Sequence, residues 1–141
     1  MKVYVATSWK NVHQPEVVRF LRSAGHEVYD FRHPAIGNDG FQWSSIDENW
    51  HTWNARNYLL ALNHVLADEG FGLDMSALYW CEACVLVLPC GRSAHLEAGW
   101  AAGAGKKLVI YIPDYDTPEL MYKMAHSIVT TPDDMQRALI A

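Results

Sequence analysis

Glu97 stands in the stretch Cys90-Gly91-Arg92-Ser93-Ala94-His95-Leu96-Glu97-Ala98-Gly99, where small residues separate an apolar run from an Ala/Gly-rich one. A carboxylate so placed has the chemistry of a nucleophile or an acid–base group. Residues 83–88 read as a buried strand and residues 96–104 as a helix. The stretch is then a strand–turn–helix junction, with Glu97 in the first helical turn. Helix N-termini present unpaired backbone N–H groups and a partial positive charge, which suit anions and ionised carboxylates. Open α/β sheets put their ligands at such junctions.

Asp74 is the second candidate, at the start of a helix expected over 73–82. Its plainer role is to stabilise the helix dipole by about 0.3–1 kcal/mol. Its sharper role is to share a dry pocket with Glu97, where two carboxylates split their pKa values into a nucleophile and an acid. Spacing alone leaves both roles open. Segment 41–53 adds Phe41, Gln42, Trp43, Trp50 and Trp53 around Asp47 and Glu48. Aromatic faces such as Trp43 can stack a nucleobase, and Gln42 can read its polar edge. The competing role for each ring is to seal the core, although the segment is too polar to be mainly interior.

The three cysteines carry less. Cys81 and Cys84 form one C-x-x-C and Cys90 lies nearby, but no second pair completes a tetrahedral zinc site. A redox C-x-x-C opens a helix after a strand, whereas this one precedes a strand. Apolar packing is the expectation, with no metal. The first strand is followed by no Gly-x-Gly-x-x-Gly and the chain has no Walker A loop, so neither a dinucleotide nor any other cofactor is expected.

The elements that must position these groups alternate. Strands are expected over 2–6, 26–31, 83–88, 108–112 and 127–130, and helices over 15–24, 54–68, 73–82, 96–104, 118–124 and 132–140. Gly70 and Gly72 read as breaks between two of those helices. Alternation of this kind implies a parallel sheet covered on both faces. The expected fold is a flavodoxin-like, Rossmann-like α/β domain over residues 1–141, with strand order 2-1-3-4-5. Right-handed crossovers then put the switch point between the first and third strands. That topology gathers Tyr4, Ser8, Trp9, the Gly91 turn and Glu97 at one pocket.

Composition bounds the partners. The chain has 141 residues, 50% hydrophobic, and a formal net charge of −5 with no Lys/Arg run. A nucleic-acid polymer is not the expected ligand, because phosphate binding needs concentrated positive charge. The apolar runs are strand-length, so no membrane span is expected. The chain opens on a strand rather than a signal peptide, which points to the cytoplasm.

Residues 74–111 resemble the nucleoside 2-deoxyribosyltransferase family, including its relatives that hydrolyse nucleoside monophosphates at the N-glycosidic bond. The matching residues are Asp74, Glu82, the apolar run 85–88, the turn 91–95, Glu97-Ala98-Gly99-Trp100-Ala101 and Gly105-Lys106 before Leu108. Tyr4 resembles that family's first-strand tyrosine. The resemblance implies a covalent mechanism, with Glu97 attacking the sugar C1′ and another base or water releasing the sugar with net retention. It further implies that Asp74 protonates or orients the leaving base, that Tyr4 steers Glu97 or holds the sugar, and that Ser8, Trp9 and Lys10 line the site. Arg92 and Ser93 would meet a 5′-phosphate, or else Arg92 faces solvent. By the same analogy the protein is a homodimer or larger. His95 reads as a solvent-exposed neighbour of the helix N-cap. Two other classes stay open: a non-catalytic nucleotide-binding or sensing module, and an interaction domain whose Trp cluster is an exposed patch.

Overall fold

The computed structural model describes all residues, Met1–Ala141. Five parallel strands form one sheet in the order β2-β1-β3-β4-β5, as the alternation of elements implies. They are β1 (Lys2–Ala6), β2 (Glu27–Tyr29), β3 (Ala83–Val87), β4 (Lys107–Tyr111) and β5 (Ser127–Val129). The helices are α1 (Gln14–Ser23), α2 (Ala55–Ala61), α3 (Val65–Trp80), α4 (Arg92–Gly103) and α5 (Pro132–Ile140). Short 3-10 turns occupy Trp43–Ser45, Trp50–Thr52 and Leu120–Met124. No helix is long and apolar enough to cross a membrane.

The chain forms two compact units. The first is Met1–Asp30 with Leu78–Ala141 and contains the sheet. β3 lies at its centre, every residue buried, as a parallel strand covered on both faces must be. Strand residues alternate between faces. Val3, Val5, Ala83, Val85, Val87, Val109 and Tyr111 meet Val17, Val18 and Leu21 of α1 and Met135 and Leu139 of α5. The other parity carries Tyr4, Cys84, Leu86 and Ile110, all buried, toward α4. Helix α4 approaches closely because its buried stripe is Ala94, Ala98 and Ala101.

The second unit is Phe31–Ala77. Trp43 sits among Phe41, Trp53 and Tyr58, edge to face, with ring centroids 4.8, 5.8 and 6.1 Å away. Helix α2 is capped at both polar ends of its first turn: Asn54 accepts from the Asn57 backbone and Asn57 accepts from that of Asn54. In place of one helix over 54–68, α2 stops at Ala61 and α3 begins at Val65.

Other local expectations change too, and the helix expected over 118–124 is the 3-10 turn Leu120–Met124. Gly70 and Gly72 lie inside α3 rather than breaking it. At Gly70 the reason is packing: a Cβ there would stand 2.9 Å from Cβ of Phe41. Asp74 is therefore in the interior of a 16-residue helix, not at an N-terminus, and the dipole role falls away. Helix α4 also starts at Arg92, four residues earlier than the apolar pattern suggests.

Candidate active site

Glu97 is the sixth residue of α4, one turn deeper than expected. The macrodipole fades within the first turn, so it does not account for a charged Glu97. The helical phase does account for its direction. Glu97 is three residues after Ala94 and four before Ala101, on the flank of the stripe that meets the sheet. Glu97 is half-buried. Its charge is felt in β3: burial, then Cys81, then Glu97 push the Cys84 thiol well above its usual range. Burial first and Glu97 second push Cys90 up to about 12. Glu97 is thus close enough to the sheet for its charge to reach Cys84, which is paired with Tyr4 in the β1–β3 register, and Cys90 in the turn after β3.

Tyr4 is fully buried beside Cys84 in the β1–β3 register. Its ring stacks on Tyr29 at 5.2 Å. The loops leaving β1 and β3 are laced together beneath the site. Thr7 Oγ1 donates to the Val87 carbonyl at 2.7 Å. Asn11 Nδ2 donates to the Pro89 carbonyl at 3.0 Å and reaches that of Val87 at 3.4 Å. Asn11 Oδ1 accepts the His13 backbone N–H at 2.7 Å. Between these two anchors the first loop carries Ser8, half-buried, and Trp9, exposed. Ser8 Oγ accepts the Lys10 backbone N–H at 3.2 Å.

Gly91 is the N-cap of α4, in an extended conformation without a side-chain cap. Arg92 and Ser93 follow in the first turn, both exposed. The first four N–H groups of a helix lack intrahelical partners, so this turn can receive an anion. His95 departs from expectation. It is half-buried, with Nδ1 at 2.7 Å from the Gly91 carbonyl and Nε2 at 2.8 Å from the Tyr122 hydroxyl. Glu82 lies just past α3 and accepts the Lys2 backbone N–H at 2.8 Å, a structural task.

Asp74, Gln42 and Trp43 belong to the second unit. Asp74 is half-buried, and Gln42 is exposed in extended backbone before the first 3-10 turn. Trp43 has edges and faces occupied by its aromatic neighbours. Trp53 donates its indole N–H to Asp47 at 2.8 Å, which lowers the Asp47 pKa. Trp50 is the exposed member of the set.

The hydrogen bonds of Asn11, His95 and Tyr122 around this junction were not legible in the sequence. Asn11 follows a strand in a polar loop, and Tyr122 is 25 residues from Glu97 in sequence. No group of three His, Cys, Asp or Glu stands together as a metal site, and the cysteines are free. A separate cavity of about 330 Å³ lies on the α1–α5 face, lined by His13, Glu16, Arg19, Phe20, Tyr111 and Met135 among others.

No family model matches the chain, and no curated protein matches it. Solved structures do. The 2-deoxyribosyltransferase of the psychrotolerant bacterium Bacillus psychrosaccharolyticus superposes with a TM-score of 0.69 at 17% identity, over 96% of this chain and 90% of that one. The CMP N-glycosidase of Clostridium botulinum superposes with a TM-score of 0.55 at 17% identity, over the whole of both chains. At this identity the likeness is one of fold.

Proposed function

We propose that this protein cleaves the N-glycosidic bond of a nucleoside or nucleotide and passes the (deoxy)ribosyl group to another base or to water. The observation that supports this most is Glu97, half-buried on α4 beside the alanine stripe that meets the sheet, with its charge felt at Cys84 and Cys90. Two structures of like fold are a 2-deoxyribosyltransferase and a CMP N-glycosidase, which favours this chemistry over others the fold hosts.

In this mechanism a Glu97 oxygen forms a bond to the sugar C1′ as the C1′–N bond breaks. The base leaves with the electron pair and takes a proton, with Asp74 as the acid. A second base or a water then attacks C1′, and the Glu97 carboxylate departs. Two inversions give net retention, as in retaining glycosidases. Tyr4 orients Glu97, while Ser8, Trp9, Gln42 and Trp43 contact sugar and base. The Gly91 turn, with Arg92 and Ser93, receives a 5′-phosphate by the anion affinity of a helix N-terminus. On this reading residues 1–141 act as one cytoplasmic nucleoside 2-deoxyribosyltransferase-like domain, without a cofactor. It assembles as a homodimer or larger, with Leu59, Leu60 and Phe71 offering exposed apolar surface to a second copy.

The test is incubation with 2′-deoxynucleosides and with nucleoside 5′-monophosphates, with and without a free base, followed by chromatography of released base and exchanged nucleoside. Wild type should release base and Glu97→Ala should not. Equal release by both would end the assignment of Glu97. An exchange product formed on adding free base identifies a transferase. Binding of intact nucleotide without turnover identifies a sensing module.

A further inference from the structure

We infer that His95 and Tyr122 are positioning residues: their hydrogen bond clamps the β4–β5 connection to the first turn of α4 and so holds the turn that receives the ligand's anionic end. The inference rests on the reading of the Gly91 turn given above. A carbonyl can only accept, so the 2.7 Å contact to the Gly91 oxygen places the proton of neutral His95 on Nδ1. Nε2 then carries a lone pair and accepts the Tyr122 O–H at 2.8 Å. The two rings are close to parallel, 15° apart with centroids at 5.8 Å. Burial, then Cys90, then Glu119 raise the Tyr122 pKa, which keeps the phenol protonated and donating.

The connection needs such a tie. Leu120, Met121 and Met124 are 75%, 57% and 51% exposed, so apolar packing holds its 3-10 turn weakly. Near its start Asp114 binds His13 at 2.7 Å, and near its end Tyr122 binds His95. The turn on the other side is equally in need. Gly91 has no side chain, and the backbone bond from His95 N–H to the Gly91 carbonyl is long at 3.4 Å. The chain Tyr122–His95–Gly91 thus stiffens the residues just before Glu97. Glu97 itself is held a turn deeper by the buried Ala94, Ala98 and Ala101. Breaking the clamp should therefore loosen ligand binding at Arg92 and Ser93 while leaving the chemical step almost intact.

Two variants break the same bond from either side. Tyr122→Phe removes the donor. His95→Asn keeps an amide donor near the Nδ1 position for the Gly91 carbonyl but cannot reach Tyr122. Each should raise KM for a nucleoside 5′-monophosphate about two- to tenfold, the worth of one hydrogen bond, with kcat within about twofold. The double variant should be no worse than either single one. Amide hydrogen exchange across residues 112–126 should quicken in both variants. Additive effects, a fall in kcat with KM unchanged, or unaltered exchange would overturn the clamp. If wild type turns over no nucleotide, the proposed function fails and the exchange measurement alone decides the clamp.

Discussion

The charge of Glu97 reaches the Cys90 thiol across the start of α4: burial first and Glu97 second push Cys90 up to about 12. A folded pKa raised above the unfolded value of about 8.5 makes a stability contribution that is complete below pH 8.5 and is lost as pH rises toward 12. At pH 8 the thiolate fraction is so small that alkylation of Cys90 by iodoacetamide should run on the order of a thousandfold slower than that of free cysteine. Glu97→Gln should speed it several-fold and no more, because burial is the larger cause. Mass spectrometry of the labelled peptide checks this. A Cys90 that reacts like free cysteine would contradict the arrangement.

Asn11 carries the seam between the two loops of the site. Asn11→Asp turns a donor into a carboxylate facing the Val87 and Pro89 carbonyls at a residue only 4% exposed. At pH 8 this should cost roughly 3 kcal/mol in urea unfolding. At pH 5 the loss should shrink. Burial raises the new carboxyl's pKa, and the protonated form can donate again. A pH-independent loss would show that the carbonyls do not govern it.

Gly70→Ala sets two effects against each other. Alanine favours an α-helix by about 1 kcal/mol over glycine. Its Cβ would stand 2.9 Å from the Cβ of Phe41, an atom fixed close to the backbone. Overpacking of this kind costs about 1–3 kcal/mol, so net destabilisation is expected. Trp43 packs on Phe41, so tryptophan fluorescence should report the disturbance. A stabilised variant would mean that the helix and segment 41–53 do not press together.

Lys107 ends α5. Its ammonium donates to the carbonyls of Ala138, Leu139 and Ala141 at 3.3, 3.0 and 2.7 Å. Lys107→Met keeps the aliphatic stem and removes the donor. A loss of about 1 kcal/mol, seen as a fall of roughly 3 °C in Tm, is expected by calorimetry.

The sheet, its order and the succession of strand, turn and helix after residue 83 were legible because they follow from local chemistry. Apolar runs of strand length alternate with helical periods, and handed crossovers leave one arrangement. The start of α4 was not legible. Arg92, Ser93 and His95 show no apolar period, and the stripe that buries this helix is made of alanines, which carry little hydrophobic signal. Gly70 misled for a related reason, since a glycine that breaks a helix and one that admits a neighbouring ring are the same letter.

What the chain by itself determines is thus the scaffold, and with it the strand–turn–helix junction that carries the proposed nucleophile, Glu97. What only the tertiary structure decides is that carboxylate's setting. Its depth along α4, the thiols under its charge, the Asn11 seam and the His95–Tyr122 bond all depend on contacts between residues distant in sequence. Periodicity reports which face of an element is buried. It does not report which side chains from other elements meet there.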